Sequence, residues 1–230
     1  MPRPTPPHPK FKQKPVRALS RDEAAKVLAE ADRKRREDAY PGIDCIVYLL
    51  LGTGIRRGEL LGLAWEDIDF EALTIALKRV VILDETRRPI LREGGKTVAS
   101  RRTISITPEL AERLRRHKVL ILEQKVAWGP EYAGGPMLCF PAIGGASLPP
   151  QLLANKLRLL LGRAGIKGAQ PLHIFRHTHA SWLMAARTNP KAISERLGHR
   201  NVAFTLATYT HPTREEDRAT AALMQDLIKR

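Results

Sequence analysis

The chain has 230 residues, 43% of them hydrophobic, which suffices to bury a core and excludes a wholly disordered protein. Lysine and arginine number 39 against 24 acidic residues, a formal charge of +15 with a pI near 10.3, so the expected partner is a polyanion. No apolar run approaches the roughly 20 residues that span a bilayer, the N-terminus lacks the apolar segment of a secretory signal, and Cys45 and Cys139 have neither zinc nor disulfide spacing. A cytoplasmic protein without membrane contact is the expectation.

Residues 1–16 are basic and rich in proline, which blocks helix and ladder hydrogen bonds, and read as a tail or interdomain linker. Order is expected from Ser20, where Ser-Arg-Asp-Glu is a capping-box pattern with Glu23 reaching back. Ala24, Val27, Leu28 and Ala31 then share one helix face. After the Pro41-Gly42 break, Ile43 to Leu51 is apolar throughout. Period alone leaves strand or buried helix open; Gly52-Thr53-Gly54 as a terminator favours helix, with a short helix over Glu59 to Leu63 to follow.

The texture changes between Leu73 and Ile106. Residues 73–82, 89–92 and 102–106 read as three short strands, with Gly94-Gly95-Lys96 in the turn before the last. Beyond Thr107-Pro108, an N-cap followed by proline at the first helical position, the chain reads as helical apart from a Gly/Pro-rich stretch over residues 128–150. A second capping box, Thr213-Arg-Glu-Glu, opens a C-terminal helix expected at about 213–229. The fold class expected is mainly α with a small three-stranded antiparallel sheet (α+β).

Three segments carry candidate chemistry. In Thr53-Gly-Ile-Arg-Arg-Gly-Glu the glycines fit neither dinucleotide nor Walker spacing, and no lysine stands where a phosphate loop needs one; a solvated Arg56 at a helix corner is the plain alternative. In His173-Ile-Phe-Arg-His-Thr-His179 the first two histidines are spaced as in a zinc-protease helix, but Ile174 occupies the position of the required glutamate. His173 and Arg176, three apart, instead share a helix face and can present an imidazole and a guanidinium to one phosphate. The third segment runs from Leu197-Gly-His199 to Tyr209; a lone tyrosine in a helical context is ordinarily a half-buried core residue.

Taken in order, these segments resemble the tyrosine recombinase (phage integrase) family over roughly residues 17–230. Arg56 and Glu59 match its first box. Lys96, Thr97, Ser100 and Arg102 match its hairpin lysine setting, and His173, Arg176, His177 and Thr178 match its second box. His199 and Tyr209 match the Leu-Gly-His motif and the nucleophile beyond it. Phe175, where leucine is more usual, and Arg200, where a small residue is common, depart from the pattern.

The resemblance implies a catalytic domain over 17–230 that needs neither metal nor ATP nor another cofactor. Tyr209 would attack a DNA phosphodiester to give a 3′-phosphotyrosyl link and a free 5′-hydroxyl, and a 5′-hydroxyl from another strand would reverse the step. Arg56 and Arg176 would clamp the non-bridging oxygens with permanently charged planar forks. A tyrosine of ordinary pKa near about 10 needs a proton acceptor, for which His173 is the candidate. Lys96 would protonate the leaving oxygen, His199 would donate a hydrogen bond to the phosphate, and Glu59 would orient an arginine. Lys78, Arg79, Arg101 and Arg102 are candidate contacts to the DNA backbone, although a solvated charged face looks the same in sequence. Double-stranded DNA is the implied partner, with a homo-tetramer assembled on it and the DNA-free chain open to being a monomer. Family members usually carry DNA-binding domains ahead of this one, so the chain reads as a fragment or a short relative. The alternatives are a type IB topoisomerase-like enzyme and a DNA-binding relative without activity.

Overall fold

The computed structural model describes residues 17–34, 42–94 and 101–199. Helices dominate: α1 (Arg21–Lys34), α2 (Ile43–Thr53), the short α3 (Arg57–Leu61), α4 (Pro108–Trp128), α5 (Pro150–Arg163), α6 (His173–Ala185) and α7 (Pro190–Leu197). Among the described residues, five strands lie between α3 and α4: β1 (Ile68–Asp69), β2 (Thr74–Leu77), β3 (Arg79–Leu83), β4 (Pro89–Glu93) and β5 (Arg102–Ser105). Among the described residues no helix is long and apolar enough to cross a membrane.

The local signals act as their chemistry requires. The Ser20 hydroxyl accepts the Glu23 N–H at 3.1 Å and the Glu23 carboxylate accepts the Ser20 N–H at 3.0 Å, so two orphan donors of α1 are satisfied reciprocally. Thr107 caps α4 through the Leu110 N–H at 3.2 Å, with Pro108 at the first helical position. The apolar run from Ile43 is a helix. It packs against α1, α4 and α6, and its residues Ile46, Val47, Leu49 and Leu50 are fully enclosed. A helix apolar all round belongs in an interior, and truncating Leu50 to alanine should cost about 2–5 kcal/mol.

Around α2 the core is completed by Val27 and Ala31 of α1, Leu110 and Leu114 of α4, Leu153, Leu157 and Leu161 of α5, and Ile174 and Phe175 of α6. Phe175, the departure from the family pattern, is therefore a core residue. Thr178 of the same box is structural too: its hydroxyl accepts the Leu19 N–H at 2.8 Å and donates to the Ile174 carbonyl at 2.7 Å. With the Trp182 indole donating to the Leu19 carbonyl at 3.1 Å, it straps the segment before α1 onto α6.

The strands form two sheets rather than one. β2 sits between β1 and β5 in an antiparallel three-stranded sheet, with Ile75 paired to both Ile68 and Ile104, while β3 and β4 form a separate antiparallel hairpin with Val81 opposite Leu91. The single strand expected over 73–82 is thus divided at Lys78. The cause is what β3 packs on: α3 presents Gly58 and Gly62, four apart on one face, to its backbone. A Cβ on Gly58 would lie 2.9 Å from the Val81 carbonyl oxygen, and one on Gly62 would lie 2.9 Å from the Arg79 carbonyl. Gly58, one of the two glycines that invite comparison with a phosphate loop, serves this close approach, whereas a Cβ on Gly54 would meet Leu197 and His179. Arg79 then turns inward onto Asp67 at 2.6 Å and holds the break.

Candidate active site

Glu59 is the hub. It sits in the first turn of α3, almost wholly buried, and its carboxylate accepts four hydrogen bonds. Oε1 takes Arg56 Nη1 at 2.9 Å and Arg102 Nη1 at 2.8 Å; Oε2 takes the Arg56 backbone N–H at 2.9 Å and Arg102 Nη2 at 3.0 Å. All four lone-pair positions of the carboxylate are filled. Burial by itself would raise this carboxyl's pKa, but the bonds and charge of Arg102, with those of Arg56, outweigh it and hold it below the ordinary glutamate value.

The C-terminal turn of α7 gathers the arginines. The carbonyl of Arg196 accepts Arg102 Nε at 2.7 Å, that of Leu197 accepts Arg176 Nη2 at 2.7 Å, and that of Gly198 accepts Arg56 Nη2. These carbonyls carry the negative end of the helix dipole, so three guanidinium groups both satisfy them and offset it. Arg176 donates through its other Nη to the Gly54 carbonyl at 2.7 Å, which joins α6, α7 and the turn after α2 at one point. Gly198 has φ +66°, and a Cβ there would stand 2.7 Å from Arg102 Nη1 and 3.0 Å from Arg56 Nη1. Only glycine lets both arginines close on this turn.

The histidines differ in role. His179 is buried; its Nε2 accepts Arg196 Nε–H at 3.2 Å, so the proton is on Nδ1, which donates to the Leu51 carbonyl at 2.7 Å. Burial pushes its pKa down to about 4, so it is a neutral crosslink. His199 follows Gly198 and its N–H donates to the Ser194 carbonyl at 2.9 Å. Burial first, then the charges of Arg176, Arg56 and Arg102, depress the His199 imidazole to about 4. At neutral pH it is uncharged, with one N–H as a possible donor. His173 opens α6 and stays solvent-accessible. Desolvation and the charges of Arg57 and Arg176 lower its pKa, which keeps it available as a proton acceptor. His177 is lowered similarly, by burial, His173 and Arg176.

Arg56, His173 and Arg176 line one open cleft of about 520 Å³. Its far wall is Gln151, Ala154 and Arg158 of α5, and Arg57 and Gln170 complete its rim. A cleft lined by the four guanidinium groups of Arg56, Arg57, Arg158 and Arg176 suits an extended anion.

The sequence profile of the phage integrase family matches residues 17–216. The chain belongs to this family. Among its relatives, a tyrosine recombinase XerC-like protein of Caldanaerobacter subterraneus subsp. tengcongensis is 31% identical over 216 residues, covering 90% of the chain and 54% of the relative. The integrase of Staphylococcus phage L54a is 29% identical over 178 residues, covering 76% of the chain and 49% of the relative. The chain thus spans about half the length of these two relatives. Solved structures share the fold. A Tn1549 transposon integrase in complex with transposon right end DNA superposes with a TM-score of 0.77 at 24% identity, over 94% of this chain and 68% of that one. The catalytic domain of bacteriophage HP1 integrase gives 0.52 at 21% identity, over 84% and 86%.

The structure brings together Arg56, Glu59, His173, Arg176 and His199. Lys96, Tyr209 and the helix expected at 213–229 lie outside the described residues. Two expected DNA contacts need correction. Arg79, with only 10% of its side chain exposed, is bound to Asp67 and Glu66, and Arg102, with 9% exposed, is bound to Glu59. Neither guanidinium faces outward, because each neutralises a buried carboxylate. Lys78 and Arg101 are exposed, although the Lys78 ammonium also lies 3.4 Å from Asp67.

Sequence reasoning did not find Arg196, whose Nη2 bonds the carbonyls of Gly52 at 2.9 Å and Ser105 at 3.0 Å, nor the cleft residues Arg57 and Arg158. Arg57, adjacent to Arg56 in the first box, was open to inspection. Arg158, on an ordinary amphipathic helix, carried no signal.

Proposed function

We propose that this chain is the catalytic domain of a tyrosine-type site-specific DNA recombinase, spanning 17–230 behind a basic tail at 1–16. The observation that carries the reading is the convergence of Arg56, Arg176 and His199 on one helix end, with His173 in the adjoining cleft. Two permanently charged guanidiniums beside two neutral imidazoles suit a phosphodiester whose transition state gathers negative charge on its non-bridging oxygens. Double-stranded DNA as the substrate agrees with the charge of +15 and with the Tn1549 transposon integrase complexes, which contain DNA. A cytoplasmic setting for this action is part of the proposal.

In the reaction, Tyr209 Oη attacks the phosphorus and loses its proton to His173. Lys96 delivers a proton to the departing 5′-oxygen, and the 3′-phosphate remains on the tyrosine. Arg56 and Arg176 hold the non-bridging oxygens, and the His199 N–H supports one of them. A 5′-hydroxyl of a second duplex then attacks the phosphotyrosine, restoring the phosphodiester and the free tyrosine. The phosphodiester is conserved as an ester throughout, so nothing in these steps consumes ATP. Exposed Lys78 and Arg101, together with Arg57 and Arg158 of the cleft, are the proposed contacts to flanking phosphates. Strand exchange would proceed in a homo-tetramer on DNA, coupled through the helix at 213–229.

The test incubates the chain with nicked duplexes of randomised core sequence, which trap cleavage, followed by denaturing capture and sequencing of attached DNA. Covalent complexes that disappear with Tyr209→Phe, together with strand-exchanged products from paired duplexes, are expected. Supercoil relaxation without exchanged strands would favour the topoisomerase-like alternative, and DNA binding without any adduct would favour the inactive relative.

A further inference from the structure

Arg102 closes a ring. It bonds the Arg196 carbonyl at the end of α7 and both oxygens of Glu59; Glu59 bonds Arg56, and Arg56 returns to the Gly198 carbonyl beside the starting point. Three elements distant in sequence, α3, β5 and α7, are fixed to one another by these contacts. The ring also sets a charge balance. Two guanidiniums share a single carboxylate, so the pair Arg56 and Arg102 keeps one net positive charge after Glu59 is neutralised. Because Arg102 occupies Glu59 as a two-pronged fork, Arg56 is held by one Nη on Glu59 and the other on Gly198. Without Arg102, the carboxylate would be free to take Arg56 in the stronger bidentate geometry and cancel its charge.

We infer that Arg102 is a positioning residue of the transesterification, acting through Glu59 to keep Arg56 positively charged in effect and aimed at the scissile phosphate. This rests on the recombinase reading above. Arg102 does not itself touch DNA. Its work is to occupy Glu59, which is also why its side chain is buried. A lysine at 102 would restore the charge balance but not the fork.

The experiment compares cleavage of nicked duplexes carrying either an ordinary phosphodiester or a neutral methylphosphonate at the scissile position. It uses the full 230-residue chain at saturating DNA, with wild type, Arg102→Met and Arg102→Lys. On the phosphodiester, Arg102→Met is expected to slow cleavage at least tenfold with DNA affinity within twofold of wild type. On the methylphosphonate, where there is no phosphate charge to clamp, the deficit should shrink to threefold or less. Arg102→Lys, which keeps the charge, should fall between wild type and Arg102→Met on the phosphodiester. An equal deficit on both substrates for both variants would overturn the inference and make Arg102 merely structural. No adduct from the wild type on either substrate would instead overturn the recombinase reading, and the inference with it.

Discussion

Replacing Gly198 by alanine probes the arginine cluster from its most crowded point. Two costs are readable. At φ +66° and ψ 39° the residue is left-handed, and a side chain there costs about 1–2 kcal/mol. The added Cβ would also stand 2.7 Å from Arg102 Nη1, 3.0 Å from its Cζ and 3.0 Å from Arg56 Nη1. Arginine ends are flexible in general, but this one is pinned by Glu59 at 2.8 and 3.0 Å and by the Arg196 carbonyl at 2.7 Å. Displacing it loses at least one charge-assisted bond, worth about 1.5–3 kcal/mol. Together the substitution should destabilise by roughly 2.5–5 kcal/mol.

The assay is urea unfolding followed by tryptophan fluorescence, with Gly168→Ala as the control. Gly168 is also left-handed, at φ +71°, but a Cβ there meets nothing within 4 Å. It should show only the backbone cost of about 1–2 kcal/mol. The difference between the two variants isolates the arginine contacts. If Gly198→Ala were no more damaging than Gly168→Ala, the packing of Arg102 and Arg56 against this turn would be wrong.

Further outcomes follow from single residues. Arg79→Met leaves buried Asp67 with only the Lys78 ammonium at 3.4 Å and the Ala64 N–H at 3.1 Å to offset its charge, and should cost up to about 3–5 kcal/mol in denaturant unfolding. It should leave the salt dependence of DNA binding unchanged. Arg101→Ala should behave oppositely, sparing stability but reducing the slope of log K against log salt by about 0.9 if it neutralises one phosphate; an unchanged slope would remove it from the interface. For His179 the folded pKa of about 4 lies below the unfolded value near 6.5. The unfolded chain therefore binds the extra proton, so this contribution is complete above pH 6.5 and is lost as pH falls towards 4. His179→Gln should flatten the stability profile in that window, and a profile as steep as wild type would refute the buried neutral tautomer. His199, held down at about 4 without DNA, should titrate higher once a phosphate anion sits against it. An NMR midpoint unmoved by DNA would separate His199 from the scissile phosphate.

The elements that sequence made legible are those whose causes are local. Ser20 and Glu23, or Thr107 and Pro108, announce helix starts because both partners of each cap lie within one turn. The run from Ile43 could be read as helix because its terminator is adjacent. The order of Arg56, Lys96, His173, Arg176, His199 and Tyr209 was visible as a pattern of types. The environments of Arg79 and Arg102 were not, because a charged strand residue reads the same whether it meets solvent or a carboxylate. Their partners lie 12 and 43 residues away in sequence. The break at Lys78 was hidden for a related reason: it depends on the two glycines of α3 admitting β3, a contact that alternation along the strand does not encode. The crosslinks of Arg196 and His179 to the last turn of α2 belong to the same class.

The assignment of Tyr209 is tested most directly by mapping the covalent bond itself. Wild-type chain trapped on a nicked duplex would be digested with protease and nuclease, and the nucleotide-bearing peptide sequenced by mass spectrometry. The expected product is a single peptide containing Tyr209 esterified to a 3′-phosphate, absent from Tyr209→Phe, whose DNA affinity should be nearly that of wild type. A 3′-phosphate on any other residue, or an adduct that survives Tyr209→Phe, would contradict the nucleophile and the chemistry assigned to the residues around it.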